Sequence, residues 1–187
     1  SPEQIAGVLV THEHSDHVAG VFRFAGRFGI PVYLTHGTLL ALSPDCRLSL
    51  PQCLLFDSHN PFQIGSLEVL PFPVPHDARE PVQFVFSSGV QRLGILTDCG
   101  SITQHVVDML SACDALVLEC NHDQALLAAS SYPAALKRRV SGNYGHLENS
   151  QAASLLEQID AKRLQHVVAA HLSEQNNRPA LATAALA

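Results

Sequence analysis

Apolar residues recur along this chain in two rhythms. Short, nearly continuous apolar runs bounded by turn residues read as buried strands. Stretches whose apolar positions return every third or fourth residue read as helices. On this reading Gly7 to Val10 is a strand, and Asp16 to Phe28 is a helix with Val18, Val21, Phe22 and Ala25 on one face, closed by Gly29. Pro31 to Leu34 is the next strand, and Gly37 to Leu42 a short helix ended by the Ser43–Pro44 step. Gln52 to Phe56, Phe62 to Ile64 and Leu67 to Val74 read as strands. Val82 to Ser87 and Gln91 to Thr97 form a hairpin about Ser88–Gly89. Ile102 to Ser111 is helical and Ala115 to Glu119 a buried strand. Asp123 to Ala129, Pro133 to Val140 and Asn149 to Ile159 are helices, the second with Pro in its first turn and the third capped by Asn149 or Ser150. Gln165 to Ala170 is the last strand, and the Ala-rich tail from Ala180 is helical only if something packs on it.

Strands and helices alternate without an internal repeat or a linker-like segment, which predicts one α/β domain over residues 1–187. With 47% apolar residues the chain can fill a core, and no apolar run is long enough to cross a membrane. No leader pattern stands at Ser1. Five cysteines without a CxxC pair read as free thiols of a reducing compartment, so a cytoplasmic protein is expected. The formal charge of −6 gives no global attraction to a polyanion, although a local basic patch and bound cations override net charge.

The unusual number is eleven histidines, and their placement matters more than their count. "VLVTHEHSDHVAG" puts His12, His14, Asp16 and His17 directly behind the first strand, as H-x-H-x-D-H. Residues two apart in an extended segment share a side, so His12 and His14 can converge on one ion. Asp16 and His17 open the next helix and can face a second ion. The alternative, a His-rich exposed loop, does not account for four ligands packed at a strand end. A zincin is excluded because H-E-x-x-H would need His where Asp16 stands. Three later strands also end in a ligand type: His76 in "VPHDA", Asp98 in "ILTDCG" and His171 in "VAAHLS".

At this point the chain resembles the metallo-β-lactamase superfamily, over nearly its whole length. The resemblance implies an αββα four-layer sandwich lacking, in this chain, the family's N-terminal strands. It also implies two divalent ions, with His12, His14 and His76 on one, Asp16, His17 and His171 on the other, and Asp98 bridging. Zinc is the first choice on ligand chemistry, and manganese also suits an all-nitrogen-and-oxygen set. Such ions, about 3.5–4 Å apart, activate water and polarise the group attacked. Asp16 counts both as a ligand and as a catalytic residue.

The segments "LECNHD", "YPAALKRRVSGNYGHLEN" and "HLSEQNNRP" look like the WalJ (YycJ) branch, whose members are similar to 5′-to-3′ exonucleases of double-stranded DNA. The residues themselves suit that chemistry. His146, beside Gly145 on what reads as a flexible turn, is a histidine to spare as general acid for the leaving alkoxide. Glu119 ends a buried strand and is placed to orient it; the competing role for His146 is a helix-entry contact with backbone. Lys137, Arg138 and Arg139 form the densest basic run. Lys137 and Arg139 would contact DNA phosphates, or else merely complement a helix C-terminus. Asn177 would add a polar substrate contact, or form a turn. His122 is the remaining histidine expected nearest the site. Cys99 and Cys120 adjoin it; a thiolate there would ligate or poison a metal centre, whereas such a cysteine is more often a small core residue. Glu148 stands where the branch carries Ser, and an extra carboxylate beside His146 would raise its pKa or repel a phosphate. Three function classes compete: a DNA phosphodiesterase, a small-molecule hydrolase (cyclic-phosphate diesterase, lactonase or thioesterase), and a non-catalytic protein with a vestigial site. The basic block and the full ligand set favour the first.

Overall fold

A computed structural model describes residues 1–43, 46 and 52–187. Pro44, expected to end a helix, lies outside the described residues. The chain divides into two compact units, Ser1–Pro73 with Ala78–Val82, and Val74–Asp77 with Gln83–Ala187.

In the first unit, β1 (Val8–Leu9), β2 (Val32–Leu34) and β3 (Cys53–Leu55) pair in parallel in that order. Parallel neighbours need crossovers, which helices supply. The first crossover is two helices rather than the expected one, α1 (Ser15–Val18) and α2 (Val21–Phe28). The break falls at Ala19–Gly20: the Ala19 N–H closes α1 on the Ser15 carbonyl at 2.9 Å, and the Gly20 carbonyl opens α2 by accepting from Phe24 at 3.0 Å. Splitting the helix lets the ligand-bearing turn and the apolar helix point independently. The expected apolar face is present, with Val18, Phe22 and Ala25 buried against Val10, Ile30, Val32 and Leu34. Gly29 closes α2 in the left-handed region (φ 66°), where a side chain would be strained. The α3 helix (His36–Ala41) is capped by the Thr35 hydroxyl, which accepts from the Thr38 N–H. The β4 (Phe62–Ile64) and β5 (Leu67–Pro73) strands form an antiparallel hairpin.

The second unit is built on β6 (Val82–Ser87), β7 (Arg92–Leu96), β8 (Ala115–Glu119) and β9 (His166–Ala170). The β6–β7 pair is the expected hairpin, and β8 and β9 add in parallel. The β7-to-β8 crossover is α4 (Gln104–Leu110), and the β8-to-β9 crossover carries α5 (Gln124–Ala129), α6 (Ala134–Val140) and α7 (Asn149–Gln158). The cap of α7 is Glu148, one residue before the expected position; its own N–H donates to Gln151 Oε1 at 3.0 Å. The Ala-rich tail is helical as α8 (Pro179–Ala185), which packs on α7 and β9 and buries Ala182. Strands β7, β8 and β9 run in one direction, so Asp98, Glu119 and His171 emerge at the same sheet end.

Candidate metal centre

In the first unit the chain leaves β1 and runs extended through the histidine motif until α1 begins, with His14 as N-cap (ψ 149°). His12 is fully buried, and its ring lies edge-on to His14, centroids 4.5 Å apart, and tilted against His17 at 4.2 Å. Asp16 Oδ2 is 3.5 Å from His17 Nε2. The motif ligands of this unit are therefore gathered. Thr11, passed over in the sequence, organises them. Its hydroxyl oxygen lies 3.0 Å from His12 Nδ1 and 3.2 Å from His17 Nδ1. A hydroxyl has two lone pairs, so it can accept from both Nδ1–H groups and leave Nε2 of each ring as the basic nitrogen. A Thr directly before the first His was the available signal.

In the second unit a carboxylate does the same work. Glu119 is fully buried at the end of β8. Its Oε1 lies 2.9 Å from His146 Nδ1 and 2.8 Å from His171 Nδ1. Its Oε2 accepts the backbone N–H of Cys99 at 3.0 Å and of Leu147 at 3.1 Å. A carboxylate only accepts, so both imidazoles present Nδ1–H to it and carry their lone pair on Nε2. Burial raises the Glu119 pKa, but the hydrogen bonds from His146, His171 and Cys99 outweigh it and hold the group below the usual carboxylate range. Sequence reasoning assigned Glu119 to His146; the structure shows that it grips His171 as well.

His76 is buried, and its Nδ1 is 3.0 Å from the Gly145 carbonyl. A carbonyl also only accepts, so Nε2 is again the basic nitrogen, 3.8 Å from Asp98 Oδ1. Burial chiefly lowers the His76 pKa and favours the neutral ring that a metal requires. Asp98 Oδ1 is also 3.7 Å from His146 Nδ1 and 3.6 Å from His171 Nδ1. Donor atoms of Asp98, Glu119, His146 and His171 all lie within 4.8 Å of one another. Glu119 has four hydrogen-bond donors upon it, an arrangement suited to positioning the two rings. Asp98 (φ 50°) and His171 (φ 54°) both hold left-handed backbone without being Gly.

The structure bears on four expectations. Gly145 is not on a flexible turn: a Cβ there would stand 2.2 Å from the carbonyl oxygens of Arg139 and Val140, so glycine serves close packing. Asn177 is no substrate contact. It is buried, its amide donates to the Cys120 carbonyl at 2.6 Å and to Asn149 Oδ1 at 2.8 Å, and it braces the loop after β9 against α7. Glu148 accepts from the Ser150 hydroxyl at 2.5 Å as part of the α7 cap. Cys99 and Cys120 are fully buried, and burial pushes their thiols up to about 12 and about 11, so neither offers a thiolate. Of the basic residues, Arg139 pairs with Asp77 at 2.5 Å and Lys137 Nζ donates to the Ala128 carbonyl at 2.5 Å. Lys137 and Arg138 also border a cleft of about 590 Å³ with His122, Gln124, Ser141 and Glu148. His122 is buried, and burial chiefly lowers its pKa.

Residues 1–168 match the family model described as the beta-lactamase superfamily domain. The chain belongs to the metallo-β-lactamase superfamily. Within it, the chain sits in the WalJ/YycJ branch. It is 34% identical over 179 residues to the exodeoxyribonuclease YycJ of Bacillus anthracis, covering 95% of this chain and 68% of the relative. It is 30% identical over 184 residues to the exodeoxyribonuclease WalJ of Streptococcus pneumoniae, covering 97% and 68%. The fold is shared with the metallo-β-lactamase fold protein YhfI from Bacillus subtilis, at a TM-score of 0.73 and 16% identity over 98% of this chain and 71% of that one. This metallo-hydrolase fold, an α/β sandwich, implies divalent metal ions. The donor chemistry fits: neutral imidazoles with Nε2 as the basic nitrogen, and carboxylates beside them. No described helix is long and apolar enough to cross a membrane.

Proposed function

We propose that the chain is a two-metal phosphodiesterase that degrades double-stranded DNA from the 5′ end. The observation that carries this reading is His146, held through Nδ1 by a fully buried carboxylate while its side chain stays 23% exposed. An imidazole whose Nδ1–H is anchored on a carboxylate can take up a second proton on Nε2 at the accessible surface, and that imidazolium is the proton donor a leaving alkoxide needs. The choice of DNA draws on the names of the relatives and on the basic run of α6.

His12, His14 and His76 would hold one ion, Asp16, His17 and His171 the other, with Asp98 shared; zinc is the first candidate and manganese the second. Bound divalent ions would supply water activation and charge neutralisation at a phosphoryl group. Thr11 and Glu119 then keep the ligating nitrogens aimed. Asp16 would also orient the attacking water, and His146, protonated on both nitrogens with Nδ1–H held by Glu119, would deliver its Nε2 proton to the leaving oxygen. Lys137 and Arg139 would meet phosphates at the rim. A DNA substrate and free thiols would both suit a cytoplasmic protein.

The test is digestion of 5′-phosphorylated duplex DNA by the metal-reconstituted protein. His146→Ala is expected to keep its metal and lose turnover by about 10²–10⁴-fold. Turnover of a small phosphodiester without DNA degradation would instead assign a small-molecule hydrolase.

A further inference from the structure

Tyr144 is 65% exposed, two residues before His146. Exposed aromatics usually sit on compliant loops, but this one does not. The Tyr144 carbonyl accepts the Asp77 N–H at 3.0 Å, the Asn143 carbonyl accepts the Ser101 hydroxyl at 3.1 Å, and the His146 N–H donates to the Val140 carbonyl at 2.9 Å. A Cβ on Gly100 would stand 2.4 Å from the Gly145 nitrogen, so the segment 142–146 is seated directly on the backbone after Asp98. The same segment supplies the carbonyl that fixes His76. The ring is thus presented to solvent by backbone that cannot retreat, in register with the proposed proton donor. The exposed Arg138 and the Asp77-paired Arg139 stand on α6, which leads directly into this loop.

We infer that Tyr144 is a stacking platform for a nucleobase at the DNA end, and so a specificity residue that favours nucleic acid over small phosphodiesters. This rests on the nuclease reading of the same site. A fixed ring loses little entropy when a base stacks on it, and stacking beside cations grips nucleic acid without reading sequence. Any base has a face to offer, so the platform would grip a DNA end of any sequence.

The experiment compares the metal-loaded protein with Tyr144→Ala and Tyr144→Phe. The substrates are a blunt 5′-phosphorylated duplex and bis(p-nitrophenyl) phosphate, and binding is read by 2-aminopurine fluorescence at the 5′ end of a phosphorothioate duplex. Tyr144→Ala is expected to raise KM for the duplex about 10-fold and to abolish the fluorescence change, with turnover of the small diester retained. Tyr144→Phe is expected to behave as wild type, since stacking needs the ring and not the hydroxyl. Equal KM for Tyr144→Ala and wild type overturns the inference alone. So does parallel loss on both substrates, or a Phe variant as poor as the Ala variant. A wild-type protein that neither binds nor degrades the duplex but cleaves the small diester overturns the nuclease reading, and the inference with it.

Discussion

Replacing Glu119 by Gln changes one atom at a fully buried and densely hydrogen-bonded side chain of the second unit. The carboxylate accepts four hydrogen bonds, two from backbone N–H groups and two from imidazoles. A Gln must keep its carbonyl oxygen toward Cys99 and Leu147, because turning the amide there would set donor against donor. Its NH2 then faces His146 and His171, and each neutral ring must move its proton from Nδ1 to Nε2 to accept. All groups stay paired, so the variant folds, but four charge-assisted bonds become neutral ones. At a difference of about 1 kcal/mol per bond the loss is about 4 kcal/mol, a large share of a typical domain's stability. The larger consequence is chemical. His171 now carries its proton on the nitrogen that would bind metal, and affinity should fall about 10–100-fold. Urea unfolding in EDTA measures the first effect and metal titration the second. Long-range ¹H–¹⁵N spectra of the metal-free protein at pH 8 report the tautomers directly. An unchanged tautomer in Glu119→Gln, or a stability within about 1 kcal/mol of wild type, would refute the account.

Three further outcomes are expected. Gly145→Ala must push the backbone away from the Arg139 and Val140 carbonyls; a stability loss of about 1–3 kcal/mol and loss of turnover should appear together in melts and assays. Cys99 and Cys120, fully buried with thiols raised to about 12 and about 11, should resist iodoacetamide at pH 8 until the protein unfolds, as mass spectrometry would show. Asp114 is held below the usual carboxylate range, first by the Arg92 backbone N–H at 2.7 Å and, despite some opposing burial, by Arg163 at 3.0 Å. Its folded value lies below the unfolded one, so its contribution is complete above the ordinary carboxylate range and is lost as pH falls through the depressed value. Asp114→Asn should therefore be less stable than wild type at neutral pH, and the gap should close in acid.

Much of the architecture was legible because burial imposes periodicity. Ala115–Glu119, Val82–Ser87 and Phe62–Ile64 appear with the expected bounds, since each is an apolar run fenced by turn residues. The break at Ala19–Gly20 was not legible, because neither residue disturbs the apolar face that crosses it. Strand ends announced His76, Asp98 and His171. What the strand pattern hides is how one side chain serves two others. Thr11 holds His12 and His17 within one motif, Glu119 holds His146 and His171 from separate segments, and periodicity contains no term for either pair. Asn177 misled for the reverse reason: a polar residue after a ligand reads as surface, and only the packed fold shows it spent on the Cys120 carbonyl and Asn149.

The left-handed backbone at Asp98 and His171 has an evolutionary consequence. Holding a non-glycine residue there costs about 1 kcal/mol at each position, a cost that glycine would remove. Drift toward stability alone would therefore erase the carboxylate and the imidazole early. A paralogue freed from its chemistry should lose these two positions to Gly before it loses the buried His12, which its packing retains. In this chain Asp98→Gly and His171→Gly would each relax the backbone while removing a candidate ligand, so stability and metal affinity should move in opposite directions.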